Sequence, residues 1–188
     1  MEKDKYLQRR VAGYHDIRMD GMTDLVCRAK GASVLDIGCN RGLVAFEFAN
    51  NGASLVHGCD NFEPGLDIAR GLFADLRNCE SKFVNVDLTK GAPAMTDALG
   101  EQTYDIVVML ATYHKIKRLM GAGALSALMK HIGKRTNKYF AWRGTSEKPL
   151  ENEEEMAQLD KDLLAVSFKR IHTSYISEWL GLCAIWRR

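Results

Sequence analysis

The chain has 188 residues, of which 46% are hydrophobic and 27% charged. These fractions are typical of a single globular domain with a buried core, and they exclude a chain that is mainly disordered. The 26 basic and 24 acidic side chains leave a net charge of +2 at pH 7, which excludes the strongly basic balance of a dedicated nucleic-acid binder but allows a local basic patch.

Short apolar runs alternate with segments of helical spacing from residue 33 onward. The runs predict strands, because each is short, apolar and followed by turn residues. In chain order, the first five predicted strands are 33–37, 54–59, 82–86, 104–110 and 138–142. Helices are predicted between and after them at 42–51, 64–76, 125–132 and 151–164, and a short segment at 92–99 leads to the fourth strand. The acidic start of the last helix is expected to face solvent.

Two final apolar runs, 168–176 and 180–186, follow each other without an intervening helix. They are predicted to pair as an antiparallel hairpin at one edge of the sheet. The fold class is therefore α/β, with a seven-stranded, mostly parallel sheet between two helix layers. Residues 1–32 are predicted to form a helical cap segment, and residues 33–188 form the main unit of a single domain.

Sheets of this kind bind ligands beyond the carboxyl ends of their strands. The segment 34–42, Val-Leu-Asp-Ile-Gly-Cys-Asn-Arg-Gly, covers the carboxyl end of the first predicted strand and the turn after it. Its glycines allow a tight turn from strand to helix, and Asn40 between them tolerates a positive φ. The pattern departs from the dinucleotide fingerprint G-x-G-x-x-G, because its last position is Leu43. Asp36 would repel a pyrophosphate but attract a positively charged ligand.

This segment resembles motif I of class I S-adenosylmethionine-dependent methyltransferases, and Asp60 and Asp87 follow the next two strands as acidic residues do in that family. The resemblance implies a Rossmann-like fold, S-adenosylmethionine as cofactor and S-adenosylhomocysteine as product. It implies that Asp60 accepts hydrogen bonds from the ribose hydroxyls. It also implies that Asp87 accepts a hydrogen bond from the adenine amino group, with Leu88 near the adenine ring. The residues expected to bind the cofactor are Asp36, Gly38, Cys39, Asn40, Gly42, Asp60, Asn61, Asp87, Leu88, Leu110 and Tyr14.

Each of these carboxylates also has a structural interpretation. Asp36 is alternatively a helix cap or turn residue, and Asp60 and Asp87 are alternatively caps or Asx-turn residues. The segment 104–107, Tyr-Asp-Ile-Val, resembles motif IV of the same family. Its Asp105 is interpreted as structural rather than cofactor-binding.

The amino-terminal stretch 14–17, Tyr-His-Asp-Ile, resembles a preamble found in methyltransferases of polysaccharides, small molecules and transfer-RNA wobble uridines. This resemblance implies that Tyr14 and His15 close over the cofactor, with His15 also contacting the substrate. The alternative is a partly buried aromatic residue and a surface histidine. The remainder of the cap segment is expected to contain helices at 7–11 and 22–29.

The segment 111–115, Ala-Thr-Tyr-His-Lys, follows the fourth strand, where the resemblance implies that the methyl group is transferred. His114 is the predicted general base and substrate ligand, because a histidine near neutral pKa accepts a hydroxyl proton. Tyr113 is the second catalytic candidate. The alternative for His114 is packing, or binding of the cofactor carboxylate. Arg143, after the fifth strand, is predicted to bind an anionic substrate group or to form a surface salt bridge.

The predicted acceptor is a small molecule or saccharide, methylated at oxygen. The segment 111–115 lacks the (N/D)-P-P-(Y/F) loop common in enzymes that methylate base amines. Two alternatives stay open: an RNA methyltransferase that uses the basic residues between 115 and 138, and a non-catalytic subunit that only binds the cofactor.

The rest of the composition predicts a cytoplasmic protein that does not contact a membrane, because the amino terminus is charged and no apolar run is long enough to span one. The five cysteines are scattered, without a C-x-x-C pair. They predict reduced thiols and no metal site.

Overall fold

The computed structural model describes residues 19–145, 149–177 and 181–188. Within these residues, seven strands form one sheet in the order β3-β2-β1-β4-β5-β7-β6. The strands are β1 (Ser33–Ile37), β2 (Leu55–Asp60), β3 (Glu80–Asn85), β4 (Tyr104–Leu110), β5 (Thr136–Arg143), β6 (Lys169–Ser177) and β7 (Gly181–Arg187). All seven predicted strands are therefore confirmed, with bounds shifted by a few residues.

Helices cover both faces of the sheet. They are α1 (Thr23–Val26), α2 (Leu43–Asn50), α3 (Glu63–Phe73), α4 (Ala92–Leu99), α5 (Tyr113–Lys117), α6 (Ala122–Lys134) and α7 (Pro149–Leu164), with a 3₁₀ turn at Leu88–Lys90. In the part of the chain that the structure describes, no helix is long and apolar enough to cross a membrane.

The buried side chains form one core cluster on each face of the sheet. The first contains Phe46 of α2 and Leu66 of α3. The second contains Met95 of α4 and Leu159 of α7. Apolar side chains alternate between the two clusters along the central strands, because successive residues of a strand point to opposite faces. The predicted arrangement of a sheet between two helix layers is confirmed.

The order of the sheet reverses beside β1. This strand pairs in parallel with β2 on one side and with β4 on the other, and β4 pairs in parallel with β5. In such a sheet a crevice opens at the carboxyl ends of the strands where the order reverses. At the far edge, β7 lies antiparallel between β5 and β6, which confirms the predicted terminal hairpin.

The amino-terminal segment departs in part from expectation. Residues 1–18, with the helix expected at 7–11 and with Tyr14 and His15, lie outside the described residues. The helix expected over 22–29 is only the four-residue α1. The division into a cap segment and a main unit stays a prediction.

The first half of α7 is more buried than its acidic sequence indicates. Asn152 and Glu155 are each 2% exposed, so the expectation that the acidic start faces solvent is wrong for Glu155. Its Oε1 lies 3.7 Å from Nζ of Lys117 on α5, and burial raises the pKa of Glu155 to about 7. Asn152 accepts a hydrogen bond from the Thr145 backbone N–H at 2.9 Å and donates one to the Thr145 carbonyl. Thus α7 holds α5 and the segment that follows β5.

The cysteines agree with the expectation of reduced thiols. Four of them are buried free thiols, and Cys27 is exposed. Burial raises the pKa of Cys59 to about 12, so this thiol is neutral at physiological pH. The buried cysteines therefore act as small apolar groups of the core.

Candidate active site

A cavity of about 800 Å³ opens at the carboxyl ends of the parallel strands. Its wall draws on all five segments that the sequence indicates, those after β1, β2, β3, β4 and β5. Every predicted cofactor-binding residue that the structure describes lines this cavity, except Gly42. Tyr14 lies outside the described residues.

The turn after β1 adopts the backbone conformation that its sequence predicts. Gly38, Asn40 and Gly42 have φ angles of +78°, +47° and +71°. A Cβ on Gly42 would lie 2.8 Å from the Cβ of Ala69, so this glycine lets α2 approach α3 closely. A Cβ on Gly38 would overlap the side chain of Thr112. The glycines therefore bring two loops together at the floor of the cavity.

Asp60 connects two segments of the cavity wall. Its Oδ2 accepts a hydrogen bond from the Asn40 backbone N–H at 2.9 Å, and its Oδ1 accepts one from the Phe62 N–H at 3.0 Å. Both carboxylate oxygens are thus fixed, and each keeps a second lone pair. This is a rigid acceptor for two neighbouring hydroxyl groups.

Asp87 has the capping role that the sequence offers as an alternative, and it also lies in the cavity wall. Its Oδ1 accepts hydrogen bonds from the Thr89 backbone N–H at 3.0 Å and from the Thr89 hydroxyl at 2.6 Å. These bonds hold the pKa of Asp87 below its usual value and cap the 3₁₀ turn. The same residue lines the cavity beside Leu88, so Oδ2 remains to accept a donor from a ligand.

Asp36 is the most unusual charged group in the wall. It is 3% exposed, and its Oδ2 has no hydrogen-bond partner among the residues that the structure describes. Burial, with a smaller contribution from the nearby Asp60 charge, raises the pKa of Asp36 to about 7, although the Ala45 N–H opposes the shift. A buried carboxylate oxygen that lacks a partner and lines a cavity fits a cationic ligand group.

The segment after β4 is a helix rather than the expected loop. The cavity is lined by four residues of α5 and its flanks that share one helical face: Thr112, Lys115, Ile116 and Leu119. Successive residues of a helix are rotated by about 100°. The side chains of Tyr113 and His114 therefore lie on other faces of α5, and neither lines the cavity.

The environment of Tyr113 agrees with this geometry. It is 1% exposed and belongs to the second core cluster. Burial, with the charges of Asp162 and Glu155, raises the pKa of Tyr113 further above its usual value. The placement supports neither Tyr113 nor His114 as a catalytic group. The ionisable group that this segment contributes to the cavity wall is Lys115.

Arg143 lies where the sequence predicts, at the end of β5 in the cavity wall. It is 6% exposed, so it is not a surface residue. Its carbonyl accepts a hydrogen bond from the N–H of Ala111 at 2.9 Å. Ala111 has a φ of +52°, which is strained for a residue with a Cβ. This bond fixes the turn after β4 against β5.

Asp105 lies at the opposite end of β4 and has the structural role expected of it. Its backbone N–H donates to Ser33 Oγ at 2.9 Å, and its carboxylate lies 3.1 Å from Lys138 Nζ. These contacts tie β4 to β1 and β5. Asp105 does not line the cavity.

Comparison with known proteins identifies the family. The profile of the family described as "Methyltransferase domain" matches residues 34–134, which is more than half of the chain. The chain belongs to the class I S-adenosylmethionine-dependent methyltransferase family. The family takes its methyl group from S-adenosylmethionine, and the methyltransferase cavity described above fits that cofactor, whose positive charge matches Asp36 and whose ribose diol matches Asp60.

Two curated proteins are similar to this methyltransferase. One is the bifunctional methyltransferase/kinase WbdD of Escherichia coli, an O-antigen chain terminator, with 28% identity over 138 residues, or 71% of this chain and 19% of that protein. The other is the ubiquinone biosynthesis O-methyltransferase of Neisseria meningitidis serogroup C, with 37% identity over 95 residues, or 45% of this chain and 38% of that protein. The methyltransferase chain thus spans well under half the length of both relatives.

Solved structures agree on the fold. The magnesium protoporphyrin IX methyltransferase of Synechocystis PCC 6803, crystallised with S-adenosylhomocysteine, has a TM-score of 0.63 and 17% identity, covering 99% of this chain and 95% of that chain. The crystal structure of WbdD has a TM-score of 0.68 and 17% identity, covering 92% and 40%. At these identities the likeness shows a shared methyltransferase fold.

Replacing Gly38 by Ala should destabilise this methyltransferase. The positive φ of Gly38 is strained for alanine, and the added Cβ displaces Thr112; together these effects cost about 1 to 3 kcal/mol. Gly71 in α3 is the matched control, because a Cβ there meets nothing within 4 Å and alanine favours a helix by about 0.5 to 1 kcal/mol. Urea unfolding of both variants measures the difference. Equal stability of the two variants would contradict the close approach of the two loops.

Proposed function

We propose that the chain transfers a methyl group from S-adenosylmethionine to an oxygen of a small-molecule or sugar acceptor. The observation that carries this proposal is the cavity itself. Its wall combines an anchored carboxylate for a diol, Asp60, with a buried carboxylate for a cation, Asp36, whose Oδ2 has no partner among the described residues. The cavity then continues past the end of β4 to Arg143, which leaves room for an acceptor beside the cofactor.

In this proposal, different residues of the cavity wall bind different parts of the cofactor. Asp60 would accept hydrogen bonds from both ribose hydroxyls, and Asp87 would accept from the adenine amino group. Val86 and Leu88, which also line the cavity, offer apolar contact to the adenine ring. Asp36 would face the positive charges at the other end of the cofactor.

S-adenosylmethionine, when bound, supplies a methyl group on a sulfonium: an acceptor lone pair bonds to the methyl carbon, the carbon–sulfur electron pair stays on sulfur, and a hydroxyl acceptor passes its proton to water or a base. The protein therefore has to align the acceptor atom with the methyl group and to exclude water from the cavity. Leu110 and Ile116 supply apolar wall on the β4 side, and the Ala111 turn fixes their relation to β5.

An oxygen acceptor is supported from two directions. The segment after β4 contains no proline and does not form the loop with which base-amine methyltransferases hold an exocyclic amine. The relative with 37% identity is named as an O-methyltransferase. Sugar acceptors are supported by the similarity to an O-antigen chain terminator.

The RNA alternative gains less support. Several basic residues between 115 and 138 have partners inside the fold. Arg135 is 4% exposed and donates to the Gln102 carbonyl at 3.0 Å. The ammonium groups of Lys130 and Lys138 lie 3.8 Å and 3.1 Å from Asp162 and Asp105. These residues also lie on different elements, so they do not add up to one continuous strip of free charge.

The test is transfer from S-adenosylmethionine labelled at the methyl group. The labelled cofactor is incubated with phenols, catechols, hydroxylated sugars, hydroxy acids and transfer RNA, and both product and S-adenosylhomocysteine are quantified. We expect label on the oxygen of a small molecule, with one S-adenosylhomocysteine formed per transfer. Label on RNA would contradict the acceptor class. Cofactor binding without transfer to any acceptor would favour a non-catalytic subunit.

A further inference from the structure

Charge is divided along the wall of the cavity. The three carboxylates, Asp36, Asp60 and Asp87, lie at or just beyond the carboxyl ends of β1, β2 and β3. Two cations, Lys115 and Arg143, lie just beyond β4 and at the end of β5. A third cation, Arg41, is exposed in the loop after β1 and also lines the cavity there. The acidic part suits the cationic, hydroxyl-bearing cofactor, so the basic part at β4 and β5 is the part that faces the acceptor.

Arg143 is a fixed cation within this basic part. It is more than nine-tenths buried, and its strand position alternates with Trp142, which lies in the second core cluster. The side chain of Arg143 is therefore directed to the same face as Asp36. Its backbone pairs with Leu110 on one side and with Cys183 on the other, and Asn152 holds the Thr145 segment just beyond it. An arginine fixed in a partly desolvated wall binds an anion more strongly than an exposed one does.

Lys115 is a mobile cation at the rim. It is exposed and lies on the cavity face of α5, one turn after Thr112. Its ammonium group, on a flexible stem, can follow ligands of different length. Together the two residues offer a buried fork for the planar oxygens of an anion and a second positive charge at the entrance.

We infer that the methyl acceptor carries an anionic group, a carboxylate or a phosphate, which binds Arg143 inside the cavity and Lys115 at its rim. This inference rests on the proposed function, since it assumes that the cofactor takes the acidic part. It makes these two cations specificity determinants, because a neutral compound of the same shape cannot form charge-assisted hydrogen bonds with them.

The test measures binding of matched probes to the chain saturated with S-adenosylhomocysteine. The probe pairs are 3-hydroxybenzoate with 3-hydroxybenzamide, for a carboxylate, and glucose 6-phosphate with glucose, for a phosphate. We expect at least one anion to bind about tenfold or more tightly than its neutral partner, and less tightly at high salt. The pair that responds tells carboxylate from phosphate. Equal affinity within both pairs would overturn the inference.

Variants separate the acceptor role from a cofactor role. Arg143→Gln and Lys115→Gln should each lower affinity for the anionic probe, Arg143→Gln by about tenfold, with affinity for S-adenosylhomocysteine kept within twofold. Lys134→Gln, at an exposed position of α6 outside the cavity, is the control and should change neither. Because Arg143 is buried, Lys115→Gln keeps the test open if the arginine variant does not fold.

Three results would overturn the inference. In the first, both variants keep full anion affinity. In the second, they lose affinity for S-adenosylhomocysteine in place of the anion, which would assign the cations to the cofactor carboxylate. In the third, the unaltered chain does not bind S-adenosylhomocysteine at all, which defeats the proposed function before the acceptor probes are added. These results are distinct, so failure of one proposal is not mistaken for failure of the other.

Discussion

Replacing Asp60 by Ala lowers affinity for S-adenosylhomocysteine by at least 100-fold. The unaltered carboxylate makes two hydrogen bonds to backbone N–H groups and has two lone pairs for a ribose diol. Hydrogen bonds to a charged group contribute about 1.5 to 3 kcal/mol each, so loss of the two ribose bonds alone predicts about 3 to 6 kcal/mol. Isothermal calorimetry of both proteins measures the change.

The control for this variant is Asp67→Ala. Asp67 is an exposed carboxylate of α3 that pairs with Arg70 at 2.8 Å and lies outside the cavity. Its replacement should leave cofactor affinity within twofold. A 2′-deoxy analogue of S-adenosylhomocysteine adds a second control, because Asp60→Ala should bind the analogue and the parent compound equally weakly. A variant that still prefers the parent compound would contradict the assignment of Asp60 to the diol.

Affinity for S-adenosylmethionine rises about tenfold between pH 6 and pH 8. The pKa of Asp36 in the unliganded protein is about 7, so the fraction that is ionised grows about tenfold over this range. The cationic cofactor favours the ionised form, and binding therefore releases a proton near pH 7. In Asp36→Asn the affinity should be lower and independent of pH.

The same shift predicts the opposite effect on stability. The folded pKa of Asp36 is raised above its unfolded value, so the folded state binds more protons and stability falls as pH rises from about 4 to about 7. Asp36→Asn should therefore unfold at a higher temperature than the unaltered chain at pH 8 when no cofactor is bound. Cofactor affinity and stability of the free protein then change in opposite directions in one variant.

The groups around Asp36 do not obscure this measurement. The nearby thiols of Cys39 and Cys59 have pKa values raised by burial, so they stay neutral between pH 6 and pH 8. Titrations in two buffers with different ionisation heats report the proton release directly. Buffer-independent heats and a pH-independent affinity in the unaltered chain would show that Asp36 does not change its charge on binding.

The acidic part of the cavity wall, which we propose binds the cofactor, could be predicted from the sequence because local chemistry determines it. The Gly38 turn, the left-handed Asn40 and the acidic residues at strand ends all depend on where a strand stops. Strand ends can be located in this sequence because short apolar runs alternate with helical segments and are followed by turn residues. The structure adds how the carboxylates are held: Asp60 is anchored to two loops, and Oδ2 of Asp36 has no partner within the described part of the chain.

The part of the cavity wall after β4, which we propose faces the acceptor, could not be predicted in the same way. The helix α5 has five residues, too few to show a reliable hydrophobic period, and so its face could not be assigned. Residue type alone indicates Tyr113 and His114 as catalytic candidates, whereas the helical turn directs Lys115 to the cavity. The sequence also does not indicate the burial of Glu155, because that burial depends on α7 packing against α5, a contact between segments far apart in sequence.

The measurement that tests the central claim most directly is a crystal structure of the chain with S-adenosylhomocysteine bound. We predict ribose hydroxyls within hydrogen-bonding distance of Asp60, adenine against Leu88 and Asp87, and the sulfur directed toward the part of the cavity between β4 and Arg143. A complex with the compound bound elsewhere, or with its sulfur directed away from β4, would contradict the claim.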